Sequence, residues 1–364
     1  MNHGSRGVAL MDIQEISRQI KRNCDISDAQ YWGFHSICGL LMRLRELFQH
    51  EHTCRPWDPA PPEDVSRWIT AREALWQDLE GQSLKEIVIE GRKYDPFDVD
   101  GLNSILGPLG YVYGSGFGTF NKPQFFLGRL HERREVYDYV IHSVGEELCR
   151  DLSLHPALLQ GRCIYIRHDA LVMIIWDRFQ ALKSRQCGSL LEEVFGRYGI
   201  EREAEPSEGL FHSLEKIFQA ASDLFILHEI GEAFEDDLAD EWLGIIGSGC
   251  DKYSELYLRG TKDLIADTSD MGPLRTIVRE ENENLLLLYV ALLDGIRKDL
   301  FPEMMSAFRE FRETKEWPLI EEVRKAGYRK AVDLRNAVIS YWRDRADAAG
   351  LPAILRDYLG AKSR

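Results

Sequence analysis

The sequence predicts a mainly α-helical protein, a multi-helix bundle that carries a small antiparallel β-hairpin region around residues 82–167 and is therefore α+β overall. Two observations support this prediction. From His168 onward, apolar residues recur at helical spacing almost without interruption, whereas residues 82–167 contain short segments in which apolar and polar residues alternate. A chain of 364 residues is also long enough to bury a substantial core.

Residues 1–81 are predicted to form N-terminal helices. Ser27 and Gln30 have the spacing of a capping box, which predicts that one helix ends before Ser27 and that another begins there. Arg45 falls within the apolar stripe of the second helix, where a cation is unexpected. Arg45 is therefore a candidate partner for a buried carboxylate.

The β-containing region is predicted from alternating or β-branched segments. They are 84–90, then 124–130 and 136–142 on either side of the polar sequence HERRE, which is interpreted as a turn. Residues 162–167 (RCIYIR) are a further candidate strand. The glycines between residues 107 and 128 do not form a phosphate-binding loop with a GK[ST] sequence and a following helix. They are interpreted as turns and close backbone contacts.

The remaining residues, 168–364, are predicted to form a helical body that makes one compact domain with 1–81, and the β-containing region packs on it. A long helix is expected to follow Pro206 and to end near Asp236. It contains the most informative segment of the chain.

Composition narrows the function classes. The formal net charge of −15 disfavours nucleic acid and anionic membrane surfaces as partners. The seven cysteines are scattered and form no C-x-x-C pair, which favours reduced thiols and a cytoplasmic location. The longest apolar run, Leu285–Leu293, is too short to span a bilayer. The composition is compatible with a small-molecule substrate and with a homodimer.

The segment LFILHEIGEAFEDD, residues 224–237, places one histidine and several acids in a helix that is apolar on all sides. At about 100° per residue, His228, Glu232 and Glu235 continue the stripe of apolar residues that precedes them. Glu229 lies at the edge of that stripe. A buried carboxylate must be paired, protonated or bound to a cation.

One interpretation is a metal site. His228-Glu229-Ile230-Gly231-Glu232 resembles the HExxH sequence of zinc peptidases with its last histidine replaced by glutamate. We therefore predict His228, Glu232 and Glu235 as ligands, with Asp294 from the end of an apolar run, and Glu229 as the catalytic base. The expected metal is zinc, manganese or iron. The protein would then be a hydrolase or an oxidoreductase.

The other interpretation is a non-catalytic helical scaffold or binding module in which the same residues form a buried ion-pair network. Arg45 is one candidate cation, and Asp294 has Arg297 one turn further along the chain.

Asp267 and Asp270 are further candidate metal ligands for the first interpretation, although either could cap the helix that follows. The sequence leaves both interpretations open.

Four segments, YWGFHSICGLLMRLRELF, DPFDVD, GEELCRDLS and HEIGEAFED, resemble a family of uncharacterised bacterial proteins of this length. The resemblance implies a cytosolic protein. It implies no activity and assigns no catalytic residue.

Overall fold

The computed structural model describes residues 12–52, 54–184, 190–235, 239–293, 295–345 and 347–360. The helices are α1 Ile13–Tyr31, α2 Ile37–Glu51, α3 Pro62–Leu79, α4 Val99–Leu106, α5 His168–Ser184, α6 Leu190–Arg197, α7 Glu208–Ala233, α8 Ala239–Gly247, α9 Lys252–Thr268, α10 Pro273–Arg279, α11 Glu283–Leu292, α12 Gly295–Leu300, α13 Pro302–Thr314, α14 Trp317–Arg345 and α15 Leu351–Gly360. The strands are β1 Ile87–Ile89, β2 Arg92–Tyr94, β3 Tyr111–Phe117, β4 Pro123–Val136, β5 Tyr139–Arg150, β6 Ala157–Gln160 and β7 Cys163–Arg167. None of the helices in the described ranges combines the length and the apolar character that crossing a membrane requires.

The β structure is larger than the small hairpin region that the sequence predicts. Strands β1 and β2 form a two-stranded antiparallel sheet, and the other five strands form one sheet in the order β3-β4-β5-β7-β6. The protein is therefore α+β with a five-stranded sheet. The prediction of only a small antiparallel β-hairpin region around residues 82–167 is wrong, whereas the mainly helical α+β class agrees with the structure.

The sequence HERRE explains part of this error. Its residues 131–135 belong to β4, and the chain reverses after it, at Tyr137, whose φ is 53°. Residues 131–135 are exposed in succession, so they lack the alternation that marks a strand with one buried face. A long polar strand end was thus mistaken for a turn.

The glycines of β3 explain why this strand was not predicted. Gly114 pairs with Phe126 on β4, and a Cβ atom added at Gly114 would lie 2.1 Å from the Phe126 ring. Glycine leaves room for the aromatic ring at this cross-strand position. The same residues, however, weaken the sequence signal for a strand.

The chain divides into two compact units. Unit 1 comprises the described residues up to Gly118, with Lys122–His131 and Val144–Leu154. Unit 2 comprises Thr119–Asn121, Glu132–Ser143 and the described residues from His155 onward.

In unit 1, α1 is continuous through the residues that predicted a helix start. Asp28 is fully buried there and accepts hydrogen bonds from the backbone N–H of Leu152. The Lys122 ammonium lies 2.9 Å from Asp28 and 2.8 Å from Asp151, and all three side chains are buried. Asp28, which follows the Ser27 of the predicted helix start, is therefore part of a buried ion cluster.

In unit 2, α7 packs on the sheet through Ile226 and Ile230, which form one apolar cluster with Ile141, Ile164 and Ile166. Helix α9 packs along α7, and α14 packs on α9. This arrangement fixes α7 between a sheet and a helix. His228 and Glu232 in its C-terminal half consequently face α9, where they contact Asp267 and Lys262.

Candidate metal centre

Helix α7 begins at a defined cap. The Ser207 hydroxyl accepts a hydrogen bond from the backbone N–H of Leu210 at 3.2 Å. The buried positions of the helix include Leu224, Ile226 and Ile230. His228 lies among them and keeps only 15% of its side-chain surface exposed.

Helix α9 approaches α7 closely at Gly231. A Cβ atom added at Gly231 would lie 2.3 Å from the carbonyl oxygen of Ala266, so only glycine permits this approach. On α9, Asp263 and Asp267 are separated by one helical turn. Both aspartates face the polar residues of α7.

His228 is held by Asp267. Its Nδ1 lies 2.7 Å from Oδ1 of Asp267, whose other oxygen accepts hydrogen bonds from Tyr289 at 3.1 Å and Arg297 at 3.2 Å. Because the carboxylate is an acceptor, Nδ1 carries the proton in this bond. The Nε2 atom of His228 is therefore the nitrogen that could bind a metal ion.

Three residues could supply metal ligands within the described part of the chain: His228, Glu232 and Asp263. One ligand atom from each lies within 4.8 Å of the others. His228 Nε2 is 4.0 Å from Oδ1 of Asp263. One imidazole nitrogen and two carboxylate oxygens form a donor set that zinc, manganese and iron accept.

One cation contacts an acid of the ligand group, and another contacts Asp267 beside it. The Lys262 ammonium donates to Oε1 of Glu232 at 2.6 Å, and Arg297 binds Asp267. Arg45, the other candidate cation, lies exposed on α2. The geometry thus contains the elements of a metal site and of an ion-pair network at once.

The electrostatics follow from burial and from these pairs. Burial alone would lower the pKa of His228, but Asp267, with smaller contributions from Asp263 and Glu229, raises it to about 9. Burial opposes ionisation of Glu232, yet Lys262 and His228 hold its pKa below the usual value. Without a metal ion, the imidazole is therefore protonated at neutral pH.

Glu229 is buried beside these groups. Burial, together with the charges of Glu232 and Asp263, raises the pKa of its carboxyl to about 7, although His228 and Lys262 act in the opposite direction. A carboxyl with a pKa near neutrality suits proton transfer. This is the role that the sequence predicts for Glu229.

Of the other two predicted ligands, Glu235 does not join this group. Tyr328 donates to Glu235, with its hydroxyl 2.9 Å from both carboxylate oxygens, and Arg335 lies 4.0 Å away. Asp294 lies outside the described residues. Of the predicted metal ligands, the structure brings together His228 and Glu232.

Sequence reasoning missed Asp263 and gave Asp267 a different role. Asp267 belongs to α9 and binds His228, whereas the sequence offered it as a metal ligand or as a cap of the following helix. The signal available was the i, i+4 spacing of the two aspartates on one helical face. It parallels the spacing of His228 and Glu232 on α7.

A cavity of about 270 Å³, here called the α7–α9 cavity, adjoins the cluster. Glu232 and Lys262 form part of its wall, so one of the three candidate metal ligands, Glu232, borders the cavity. Tyr139, Leu159 and Ile265 supply apolar surface.

No curated protein and no solved structure shows significant similarity to the chain. Two family models match it. The N-terminal domain of a family of unknown function, DUF6866, matches residues 15–167, and the C-terminal domain of the same family matches residues 172–356. The second match contains the helices α7 and α9. The chain belongs to this family of unknown function.

Proposed function

We propose that the protein is a metal-dependent enzyme whose divalent metal ion is bound by His228 Nε2, Glu232 and Asp263. One observation carries the proposal. One ligand atom from each of the three residues lies within 4.8 Å of the others, and Nε2 of His228 lies 4.0 Å from Asp263, while Asp267 binds the imidazole through Nδ1. A carboxylate that holds the second nitrogen of a ligand histidine is a recurrent feature of protein metal sites.

A hydrolase is the reaction class that this arrangement supports best. Three protein ligands leave coordination positions for water and substrate, and a bound divalent ion lowers the pKa of such a water. Glu229 is the proton acceptor in this proposal, and the α7–α9 cavity provides room for a small substrate next to Glu232. An oxidoreductase would require a redox-active ion such as iron or manganese in the same place.

The ion pairs of the cluster favour a second candidate function, a non-catalytic binding module. Lys262 already neutralises Glu232, and Arg297 neutralises part of the charge of Asp267. If these two cations are enough to neutralise the buried acids, no metal ion is needed. The cluster then only holds α7, α9 and α12 in register. The same experiment separates the two functions.

The experiment is elemental analysis of protein that is purified without chelators. We expect about one equivalent of zinc, manganese or iron per chain in the wild type, and loss of that metal in His228→Ala and Asp263→Asn. Glu235→Gln is the matched control, because Glu235 lies on the same segment but outside the ligand group. It should retain the metal.

Absence of metal from the wild type, even after incubation with each ion, would contradict the proposal. The second function would then predict that the two ligand variants are less stable but otherwise unchanged. A metal retained in Asp263→Asn but lost in Glu235→Gln would instead show that the ligand set is wrong.

A further inference from the structure

Two residues that line the α7–α9 cavity each carry a buried hydrogen-bond donor with no acceptor among the described residues. Trp242 is 2% exposed, and its indole Nε1 meets no acceptor among the described residues. Nε of Arg335 likewise has no hydrogen-bond partner in this part of the chain. Both residues line the cavity. A buried donor without an acceptor is costly, so a ligand that supplies an acceptor is favoured here.

The charge of Arg335 is only loosely balanced. Its ion pair with Glu235 has a separation of 4.0 Å, longer than a hydrogen bond. Tyr328 meanwhile donates to both oxygens of Glu235 at 2.9 Å. A carboxylate that enters the cavity could therefore pair with Arg335 more closely than Glu235 does.

The overall charge of the wall selects against more highly charged anions. Its charged residues are Glu232, Glu235, Lys262 and Arg335, whose formal charges sum to zero. Lys262 is already bonded to Glu232 at 2.6 Å. A phosphate dianion would meet two carboxylates and one loosely paired cation, whereas a monocarboxylate carries a single charge to match Arg335.

The rest of the wall is apolar, and it reaches the surface. Tyr139, Ile265 and Trp242 supply apolar surface, and Leu243 lines the cavity while remaining 48% exposed. Exposed Phe234 contacts Tyr139, with ring centroids 6.0 Å apart. The volume of about 270 Å³ lies at the lower end for small-molecule sites and fits one ring or a short chain.

We propose that the α7–α9 cavity binds a small monocarboxylate with an apolar body, whose carboxylate accepts hydrogen bonds from Arg335 and Trp242. Only the claim that this ligand class is the substrate rests on the proposed function. Binding itself does not require the metal ion. In the proposed metal-dependent enzyme, a small monocarboxylate is thus the substrate class.

The test measures binding of 3-phenylpropionate to the full chain by calorimetry, after chelation and again with added Zn²⁺. The matched probes are 3-phenylpropan-1-ol, which is uncharged, and 2-phenylethyl phosphate, which carries a larger negative charge. We expect the carboxylate to bind the chelated protein at least tenfold more tightly than either. Equal affinities for the three probes would overturn the inference.

Two variants locate the binding. Arg335→Met should weaken 3-phenylpropionate at least tenfold, and Trp242→Phe, which keeps a ring but removes the N–H, should weaken it several-fold. Arg343→Met is the control on the same helix, because Arg343 pairs with Glu241 at the surface. Trp76→Phe is the control for loss of a buried indole N–H without an acceptor, in unit 1. Both controls should bind normally.

The variants also remain informative if one of them fails to fold. Circular dichroism identifies such a variant, and the other then decides, since unchanged binding in a folded Arg335→Met or Trp242→Phe protein contradicts the assignment. Asp263→Asn separates this inference from the proposed function. It should lose metal yet keep 3-phenylpropionate binding in chelated protein. If the wild type binds a metal ion but not 3-phenylpropionate, only the ligand class is refuted. If it binds 3-phenylpropionate but no metal ion, only the proposed enzyme function is refuted.

Discussion

The pair formed by His228 and Asp267 determines how the candidate metal centre responds to pH. Asp267 accepts the proton of Nδ1 in a hydrogen bond, and Nε2 lies 4.0 Å from Asp263. In metal-free protein this environment favours the imidazolium, since the pKa of His228 is raised to about 9. A metal ion requires the neutral imidazole, so protons and metal compete for the same nitrogen.

This competition gives the first residue-scale prediction. The folded-state pKa of His228, about 9, lies above the unfolded value of about 6.5, so the pair stabilises metal-free protein fully below pH 6.5. That contribution is lost as the pH rises through 9. Urea unfolding in the presence of a chelator should therefore show a decline in the free energy of unfolding between these values.

The control for this decline is Asp267→Asn, which removes the charge that raises the pKa of His228. Its free energy of unfolding should be lower at pH 6 and should change less toward pH 9. Replacing exposed His131 by Gln should leave the wild-type profile intact. Parallel profiles for wild type and Asp267→Asn would show that other groups cause the pH dependence.

At the scale of elements, the contact of α7 with α9 builds the site. The two helices supply all three residues of the candidate ligand group, and Gly231 sets their separation. The nearest atoms to an added Cβ are the carbonyl oxygen and carbon of Ala266, which cannot rotate away. The backbone of α9 must therefore shift if Gly231 gains a side chain.

Gly231→Ala should consequently destabilise the protein by about 1–3 kcal/mol, the range observed for overpacked cores. It should also reduce metal affinity, because the shift separates His228 from Asp263. Thermal unfolding and metal titration measure the two effects. Gly209→Ala on the same helix is the control, since nothing lies within 4 Å of a Cβ there. An equal effect of both substitutions would indicate loss of helix flexibility rather than a steric clash.

The elements also show what the sequence could predict. The periodicity of α7 and the placement of His228 and Glu232 on one face follow from spacing alone, because both residues are on one helix. Spacing also places Asp263 and Asp267 on one face of α9, but it cannot bring them next to His228, because that depends on how α9 packs on α7. The exposed half of β4 and the glycines of β3 lack the alternation that identifies strands.

At the scale of the whole molecule, the family models and the compact units divide the chain differently. The family models meet between residues 167 and 172, at the start of α5. Unit 2, however, includes Glu132–Ser143 and the strands β6 and β7. Ile141 of β5, together with Ile164 and Ile166 of β7, belongs to the cluster that buries Ile226 and Ile230 of α7. The helix that carries His228 therefore depends on residues from both family-model segments.

The last prediction follows from this division. A fragment of residues 172–356 should fold poorly and bind no metal, because Ile226 and Ile230 lose their apolar partners on the sheet. A fragment of residues 132–364 keeps those strands and should retain a cooperative thermal transition. Circular dichroism and metal content measure both properties. A well-folded, metal-binding 172–356 fragment would show that α7 does not need the sheet, and that the family boundary is also the physical one.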